Sequence, residues 1–389
     1  MMKDTDTFTI VCISHLEWTE TLFQRPQQVA LRLSERHKII FVDELWLKDW
    51  VKGLFSKERK NSFWVNDNLL VYRPLMPLQT LNKKPRFFKY LNKWLVERRL
   101  KRMIKRDKTH KLILWFYFPK FLDIINGSNA TKIVYECMDN YAALANNNKS
   151  CLEDIEDEES YLLDKADMIF YGAKTLMDSR PEFKHKSCHI PTGVDVGHFS
   201  KAMDKKSPVP HDIMHINKPI LGYWGAVDER IDYRLLYYCA TMGSKYSVVL
   251  IGPMIKIEEK DIEFLLNLPN VHWLGPKSYE TLPDYARAFD ICLLPFKLTD
   301  EGKYLNPTKT LEYLATGRPV VSTRIPDIEQ FYSDTVSIAF DEEDFLIKIE
   351  DALSYDNEEK RKIRMEKTKG KSWEDMVRKM EKKVKEHIK

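Results

Sequence analysis

The sequence is poor in glycine and cysteine and has no long apolar run, and each shortage excludes a class of protein. Its 389 residues include 13 glycines, 18 prolines and six cysteines. With 43% apolar and 31% charged residues, the composition excludes collagen-like, low-complexity and largely disordered chains. No window approaches the about 18 consecutive apolar residues of a membrane span, and the first residues do not resemble a signal peptide. We therefore expect neither membrane spanning nor secretion.

The cysteines are scattered, without any CxxC pair. They are Cys12, Cys137, Cys151, Cys188, Cys239 and Cys292. Several lie inside apolar runs, which is typical of reduced core thiols in a cytosolic protein and argues against disulfides and against a metal site. No DxD-type cluster of carboxylates indicates a metal site either. We expect no metal and no other cofactor.

Positive charge is concentrated in one segment. The chain carries a formal charge of +4, from 62 basic and 58 acidic residues. Lys83 to Lys111 contains 13 of the basic residues against two acidic ones, so this segment carries +11 and the rest of the chain −7. A basic patch therefore lies on an otherwise mildly acidic protein.

Aromatic and aliphatic residues alternate with lysine and arginine through 83–111. This pattern predicts a helix that lies on an anionic membrane surface, and Leu45 to Phe55 has the same character. An ordinary basic helix with its aromatic side in the core is the alternative. No nucleic-acid-binding motif accompanies the segment, so we expect no nucleic-acid partner.

Short runs of mainly apolar residues alternate with amphipathic segments along most of the chain. The runs are 8–14, 37–42, 112–116, 133–137 and 168–171, then 220–224, 247–251, 271–274, 291–295, 320–322 and 336–339. Apolar strands separated by helices predict parallel sheets that are covered on both faces. The pattern restarts after the Pro- and charge-rich stretch 201–219. We therefore predict two doubly wound, Rossmann-like α/β domains, 1–200 and 201–370, with a C-terminal helix at 371–389.

The segment 306–323 (NPTKTLEYLATGRPVVST) is the most informative about chemistry. Asn306 is predicted to cap a helix, with proline at the first position, and Gly317 to end it. Free backbone N–H groups at the start would form an anion site, and Lys309 adds a charge suited to a diphosphate. Glu312, on the same face, could accept hydrogen bonds from ribose hydroxyls. A surface Lys–Glu pair on an ordinary helix is the alternative.

Read with its neighbours, this segment resembles the nucleotide-binding domain of GT-B glycosyltransferases, particularly glycosyltransferase family 4 and its relatives in cell-surface polysaccharide synthesis, such as teichuronic acid synthesis. The matching stretches are 220–232 (ILGYWGAVDERID), 249–253 (VLIGP), 270–296 (NVHWLGPKSYETLPDYARAFDICLLPF) and 306–323, with 133–141 (IVYECMDNY), 166–176 (ADMIFYGAKTL) and 190–199 (IPTGVDVGHF) in the first half. The resemblance implies a GT-B fold, in which two Rossmann-like domains face each other across a cleft.

The resemblance also implies an activity. It implies transfer of a hexosyl group from a nucleoside-diphosphate sugar, with UDP as the expected nucleotide, to a glycan or lipid-linked acceptor. We expect this reaction to retain the anomeric configuration, to need no metal, and to take place on the cytoplasmic face of the membrane with the protein bound peripherally. A nucleotide-sugar epimerase of GT-B fold and a catalytically inactive nucleotide-sugar-binding subunit are the alternatives.

On the donor side, the resemblance assigns roles to individual residues. Glu312 matches the second glutamate of the family's two-glutamate motif, which holds the ribose. Lys309 and the N–H groups near Thr308 would face the diphosphate. Gly222 and Gly225 would form the tight loop after the first strand of the second domain, where the backbone approaches the phosphates. A plain strand-to-helix turn is the alternative for these two glycines.

The nucleobase pocket and two departures from the family pattern complete the donor side. Residues 270–276 and Tyr279 fall where the family's base pocket forms, with Gly252 and Pro253 on its other side. Tyr304 stands eight residues before Glu312, where the family usually has its first glutamate, and Glu301 is nearby but out of register. Ala226 stands where a phosphate-binding arginine is common, so Arg230 is the candidate for that task.

On the acceptor side, three residues of the first half are candidates. Asp139 ends an apolar strand, close to where relatives carry a catalytic or sugar-contacting residue, although a helix cap is the alternative. Trp18 and Arg25 fall in and after the first βα loop, the usual place of acceptor contacts. Arg25 could meet an acceptor phosphate or could merely open the helix that follows.

Overall fold

The computed structural model describes residues 7–18, 23–43, 62–74, 86–106, 111–141, 149–204, 208–242, 245–299 and 302–387. The chain divides into two compact domains. The first comprises Met1–Gly172, Leu176–Ile190 and Val377–Lys389, and the second comprises Ala173–Thr175 and Pro191–Met376.

The first domain is built on a sheet of eight described strands. They are β1 (Thr9–Ile13), β2 (Lys38–Val42), β3 (Ser62–Asn66), β4 (Leu69–Tyr72), β5 (Leu112–Phe116), β6 (Ala130–Cys137), β7 (Met168–Tyr171) and β8 (Ser187–His189). Their order in the sheet is β3-β4-β2-β1-β5-β6-β7-β8, and β3 pairs with β4 in the antiparallel sense. Every residue of β1, β5 and β7 is buried, as expected for parallel strands with both faces covered.

Helices flank the first sheet. They are α1 (Arg25–Leu33), α2 (Arg86–Arg106), α3 (Lys149–Lys165) and α4 (Lys174–Asp178), of which Lys174 and Thr175 belong to the second domain. Pro26 lies in the first turn of α1, where its missing N–H costs no hydrogen bond. On α2, apolar residues at a spacing of four (Val96, Leu100, Ile104) are buried, so one side of this basic helix packs on the domain core.

The second domain is built on a parallel six-stranded sheet. Its described strands are β9 (Ile220–Trp224), β10 (Ser247–Ile251), β11 (Val271–Trp273), β12 (Ile291–Leu294), β13 (Val320–Thr323) and β14 (Ser337–Ala339), in the order β11-β10-β9-β12-β13-β14. The helices are α5 (Val196–Phe199), α6 (Tyr233–Met242), α7 (Glu263–Leu266), α8 (Leu282–Ala288), α9 (Lys309–Ala315), α10 (Pro326–Tyr332), α11 (Glu342–Tyr355) and α12 (Glu358–Glu366). The last helix, α13 (Trp373–Glu386), begins in this domain, and its residues from Val377 onward belong to the first domain. The predicted α/β fold with parallel sheets is confirmed.

The domain division differs from the predicted boundaries at 200 and 370. The stretch before 200 belongs to the second domain because Phe199 stacks on Trp224, with ring centroids 5.8 Å apart. The stretch 201–219, predicted to connect the domains, therefore lies within the second domain. At the other end of the chain, Val377–Lys389 belongs to the first domain. There the carboxylate of Glu381 lies 2.6 Å from the guanidinium of Arg36 and forms an ion pair with it.

Candidate functional site

The second sheet reverses its strand order between β9 and β12. From β9 the chain proceeds outward through β10 and β11, and from β12 it proceeds in the other direction through β13 and β14. Open α/β sheets bind ligands beyond the carboxyl ends of the strands at such a reversal. Gly225 follows β9 at this point, and α9 is the helix that comes after β12.

Three glycines with positive φ angles line up beyond neighbouring strands. Gly225, Gly252 and Gly275 have φ angles of +136°, +141° and +69°. The N–H of Gly225 donates to the carbonyl of Ile251 at 2.8 Å. The N–H of Gly252 donates to the carbonyl of Gly275 at 2.9 Å. A Cβ atom on Gly252 would overlap the carbonyl oxygen of Gly225. The backbones of the loops after β9 and β10 are therefore in direct contact, which requires glycine.

The loop between β9 and α6 is braced on both sides. The N–H of Val227 donates to the carbonyl of Pro253 at 2.9 Å, on the β10 side. On the β12 side, the N–H of Asp232 donates to the carbonyl of Pro295 at 2.7 Å, and the N–H of Lys297 donates to the carbonyl of Arg230 at 2.8 Å. These bonds hold the loop that begins at Gly225 in one conformation.

Gly222 lies elsewhere than predicted. It is inside β9, paired with Val249 of β10, and not in the loop after the strand. A Cβ atom here would overlap the ring of Phe289. Glycine at this position makes room for core packing, and the prediction that Gly222 belongs to the phosphate loop is wrong.

The start of α9 also differs from the prediction. The helix begins at Lys309, and Thr308 is its N-cap without a side-chain cap bond, so the prediction that Asn306 caps it is wrong. The reason is a tighter turn before the helix, in which the Pro307 carbonyl accepts from the N–H of Thr310 at 3.1 Å. Gly317, with φ of +72°, follows the end of the helix as predicted. Because α9 has seven residues, the charge of Lys309 outweighs the helix dipole.

The side chain of Lys309 lies against Gly225. A Cβ atom on Gly225 would overlap Lys309 Cε and would lie 2.5 Å from Nζ. Nζ is 5.7 Å from the ring centroid of Tyr223. Within the described part of the chain, Nζ makes no hydrogen bond and no ion pair. Burial lowers the pKa of Lys309, and the neighbouring charge of Arg230 lowers it further, against the opposing effect of Glu312.

One turn further along α9, Glu312 is half-buried and held by a single hydrogen bond. Its Oε2 atom accepts from the indole Nε1 of Trp224 at 2.9 Å, while Oε1 has no hydrogen-bond partner among the described residues. Burial raises the pKa of Glu312, and the bond from Trp224 and the charge of Lys309 oppose this rise. The free oxygen is an acceptor available to a ligand.

Arg230 is held at the same loop by a carboxylate. Its Nη2 lies 2.6 Å from Oδ2 of Asp228, and its side chain is 41% exposed whereas that of Asp228 is 8% exposed. Lys309, against Gly225, and Arg230, paired with Asp228, are the cations of this loop and of the start of α9.

The residues predicted to line a base pocket are partly engaged in packing. The ring of Tyr279 stacks on His198, with centroids 4.5 Å apart and planes 10° from parallel, so one face of Tyr279 is covered. Asn270 donates to the carbonyls of Ala240 and Tyr246, at 2.9 and 2.7 Å, which is a structural role. The indole of Trp273 donates to the Gly252 carbonyl at 2.9 Å and so joins β11 to the glycine loops.

In the first domain, Trp18 and Arg25 are core residues. The ring of Trp18 packs edge-on against Phe41, with centroids 5.0 Å apart. Arg25 is 3% exposed, forms an ion pair with the buried Glu136 and donates to the carbonyl of Ile190 at 2.9 Å. Both side chains are buried, and their contact with an acceptor stays a prediction.

Asp139 lies two residues beyond β6 and is half-buried. Its carbonyl oxygen accepts from the thiol of Cys137 at 3.7 Å. The role of its carboxylate stays a prediction. Glu301 and the stretch Leu45 to Phe55 lie outside the described residues.

Neither a membrane-spanning helix nor a metal cluster is found in the described ranges. None of the helices there is both long enough and apolar enough to cross a bilayer. No three histidine, cysteine or acidic side chains of these ranges come together as metal ligands.

Comparison with solved structures defines the class of fold. Sucrose-phosphate synthase from Thermosynechococcus elongatus superimposes with a TM-score of 0.72 at 14% identity, over 97% of this chain and 98% of that one. The UDP-forming α,α-trehalose-phosphate synthase of Burkholderia vietnamiensis gives 0.69 at 10% identity, over 98% and 99% of the chains. The chain therefore has the GT-B fold of glycosyltransferases, as the sequence predicted.

Sequence comparison is more specific. Residues 218–355, which lie within the second domain, match the family model described as glycosyl transferases group 1. TuaH of Bacillus subtilis strain 168, itself proposed as a teichuronic acid biosynthesis glycosyltransferase, is 26% identical over 222 residues. The match covers 55% of each chain, so it spans about half the length of this curated relative.

Proposed function

We propose that this protein is a glycosyltransferase that takes a sugar from a nucleoside-diphosphate sugar bound at the Gly225 loop. One observation carries the proposal. The Lys309 ammonium group lies against Gly225 without a hydrogen-bonding or ion-pairing partner among the described residues, one helical turn from the free carboxylate oxygen of Glu312. A partly buried cation without a counter-charge is costly, and a diphosphate would neutralise it.

The same arrangement suits the chemistry of sugar transfer. When the bond between the anomeric carbon and the diphosphate breaks, negative charge develops on the departing phosphate oxygen. Lys309 and Arg230 would stabilise that charge electrostatically, which makes a metal unnecessary in this proposal. Glu312 would hold the ribose and Asp139 would contact the transferred sugar or the acceptor hydroxyl. Hexosyl transfer with retention is part of the proposal, although Tyr304 stands in place of the first glutamate.

Two relatives suggest the donor and the pathway. The trehalose-phosphate synthase of B. vietnamiensis is UDP-forming, and TuaH is assigned to teichuronic acid biosynthesis. We infer a UDP-sugar donor and a glycan or lipid-linked acceptor of cell-surface polysaccharide synthesis. The fold likeness and the partial sequence match support this inference without identifying the sugar.

Helix α2 supports a peripheral position on the cytoplasmic face of the membrane. Tyr90 and Trp94 lie four residues apart on this helix and are 58% and 50% exposed. The guanidinium of Arg98, a further four residues on, lies 5.1 Å from the centroid of the Trp94 ring. Exposed aromatic rings between cations are typical of helices that bind the interface of anionic membranes.

A panel of radiolabelled sugar nucleotides tests the activity. Slow hydrolysis of one donor by the purified protein is the expected result, because a transferase without acceptor passes its sugar to water. Conversion of a donor to an isomer would favour the epimerase, and binding without turnover would favour the inactive subunit. Binding of none of the donors would contradict the proposed site.

A further inference from the structure

Three aromatic rings pack against the buried side chain of Trp224. It is the last residue of β9 and is 2% exposed. Phe199 and Phe289 stack near its ring, with centroids 5.8 and 5.9 Å away, and the ring of Tyr313 meets it edge-on at 4.3 Å. The backbone N–H of Trp224 also donates to the hydroxyl of Tyr313 at 3.0 Å. The indole therefore cannot change its orientation without disrupting this packing.

The single polar atom of this indole is directed at Glu312. Nε1 donates to Oε2 at 2.9 Å, and the bond joins β9 to α9 across 88 residues of chain. An indole N–H is a donor only, so it pairs with the carboxylate and leaves Oε1 as the available acceptor. The N–H adds a fixed orientation to a side chain that otherwise has three rotatable bonds.

We propose that Trp224 is a positioning residue, whose indole N–H holds Glu312 so that its free oxygen receives the ribose hydroxyls of the bound nucleotide. The inference rests on the proposed function and assigns to Trp224 a role that no sequence motif indicated. Fixing the carboxylate before binding removes the entropy that would be lost on ordering it, so affinity for the ribose increases.

The test compares a ribonucleotide with its 2′,3′-dideoxy analogue by isothermal titration calorimetry. The probe is UDP, or GDP, ADP or CDP if one of these binds the wild-type protein more tightly. Trp224→Phe keeps the aromatic packing and removes the donor. We expect it to bind the ribonucleotide about tenfold more weakly, as for a lost hydrogen bond to a charged group, and the dideoxy analogue as the wild type does. A merely structural defect would weaken both ligands equally.

A matched control exists in the first domain. The indole of Trp115 donates to Oε2 of the buried Glu136 at 2.8 Å, so Trp115→Phe removes the same kind of bond away from the proposed site. This variant should keep both affinities.

The outcomes separate the two proposals. If Glu312→Ala loses the preference for ribose and Trp224→Phe keeps it, the role of Trp224 is disproved and the proposed function stands. If Glu312→Ala also keeps the preference, or no nucleotide binds, the proposed function fails and the inference fails with it.

Should Trp224→Phe not fold, the intact protein labelled with ¹⁵N-tryptophan provides a second measurement. The indole N–H resonance that is displaced in Glu312→Gln should move more on addition of the ribonucleotide than on addition of the dideoxy analogue. Equal displacement by the two ligands would overturn the inference.

Discussion

The ammonium group of Lys309 occupies the space that a side chain at Gly225 would need. A Cβ atom there would lie 2.5 Å from Nζ, and the φ angle of +136° is itself unfavourable for other residues. The two residues therefore form one unit, in which the loop after β9 leaves room for the Lys309 side chain only because residue 225 is glycine.

Gly225→Ala should consequently displace Lys309 and abolish measurable nucleotide binding. Backbone strain at this φ is expected to destabilise the fold by about 1–3 kcal/mol, and thermal denaturation will measure that part. Gly370→Ala is the control, because Gly370 has a φ of +68° with no atom near its missing Cβ. It should be destabilised by strain alone and should bind nucleotide normally. Normal binding by Gly225→Ala would contradict the assignment of the loop.

Glu312→Ala should weaken the binding of a nucleoside diphosphate by about 1.5–3 kcal/mol, the range for a hydrogen bond to a charged group. Lys309→Ala should have an effect of at least this size, because it also removes the charge that faces the diphosphate. Calorimetry is the measurement, and Glu329→Ala, which removes the exposed partner of Arg324, is the control. An unchanged affinity in Glu312→Ala would show that Glu312 does not bind the ribose.

The strands were predictable because a buried parallel strand must be apolar throughout. The uncharged runs at 112–116, 168–171, 220–224 and 247–251 coincide with β5, β7, β9 and β10. The hairpin of β3 (SFWVN) and β4 (LLVY) was missed, although both strands contain apolar residues. β3 is a largely exposed edge strand, and only alternate residues of β4 are buried, so neither has the burial on both faces on which the pattern depends.

The site was only partly predictable for a different reason. Lys309 and Glu312 could be found because they share one short helix, so local spacing brings them together. Trp224 was missed since its bond to Glu312 spans 88 residues, and the ion pair of Arg25 was missed because its partner Glu136 is 111 residues away. Such pairings arise from the order of the strands, which no local motif encodes.

Nucleotide affinity should fall at both ends of the pH range. Burial lowers the pKa of Lys309, so as pH rises its charge is lost earlier than that of an ordinary lysine. Burial raises the pKa of Glu312, so as pH falls its carboxylate is protonated earlier than that of an ordinary glutamate. Lys309→Arg should extend binding to higher pH, and Glu312→Gln should remove the loss at low pH. The ligand titrates identically in all variants, so any difference between their profiles of affinity against pH comes from the protein. If the profiles of the variants ran parallel to that of the wild type, the stated pKa shifts of Lys309 and Glu312 would be wrong.

The last prediction concerns the membrane. Purified protein should co-sediment with anionic vesicles and not with zwitterionic ones, and added salt should reduce binding because the attraction is electrostatic. Changing Lys101, Arg102, Lys105 and Arg106 of α2 to glutamate should abolish it, since each cation near an anionic surface contributes about 1 kcal/mol.

The control changes four exposed lysines of the second domain and of α13 to glutamate, which gives the same net charge. These are Lys360, Lys362, Lys369 and Lys382. If binding depends only on total charge, both variants will lose it. If it depends on α2, the control will still bind, and replacing Trp94 by serine will weaken binding without any change of charge. Equal sedimentation with both kinds of vesicle would leave α2 as an ordinary basic helix whose buried side belongs to the domain core.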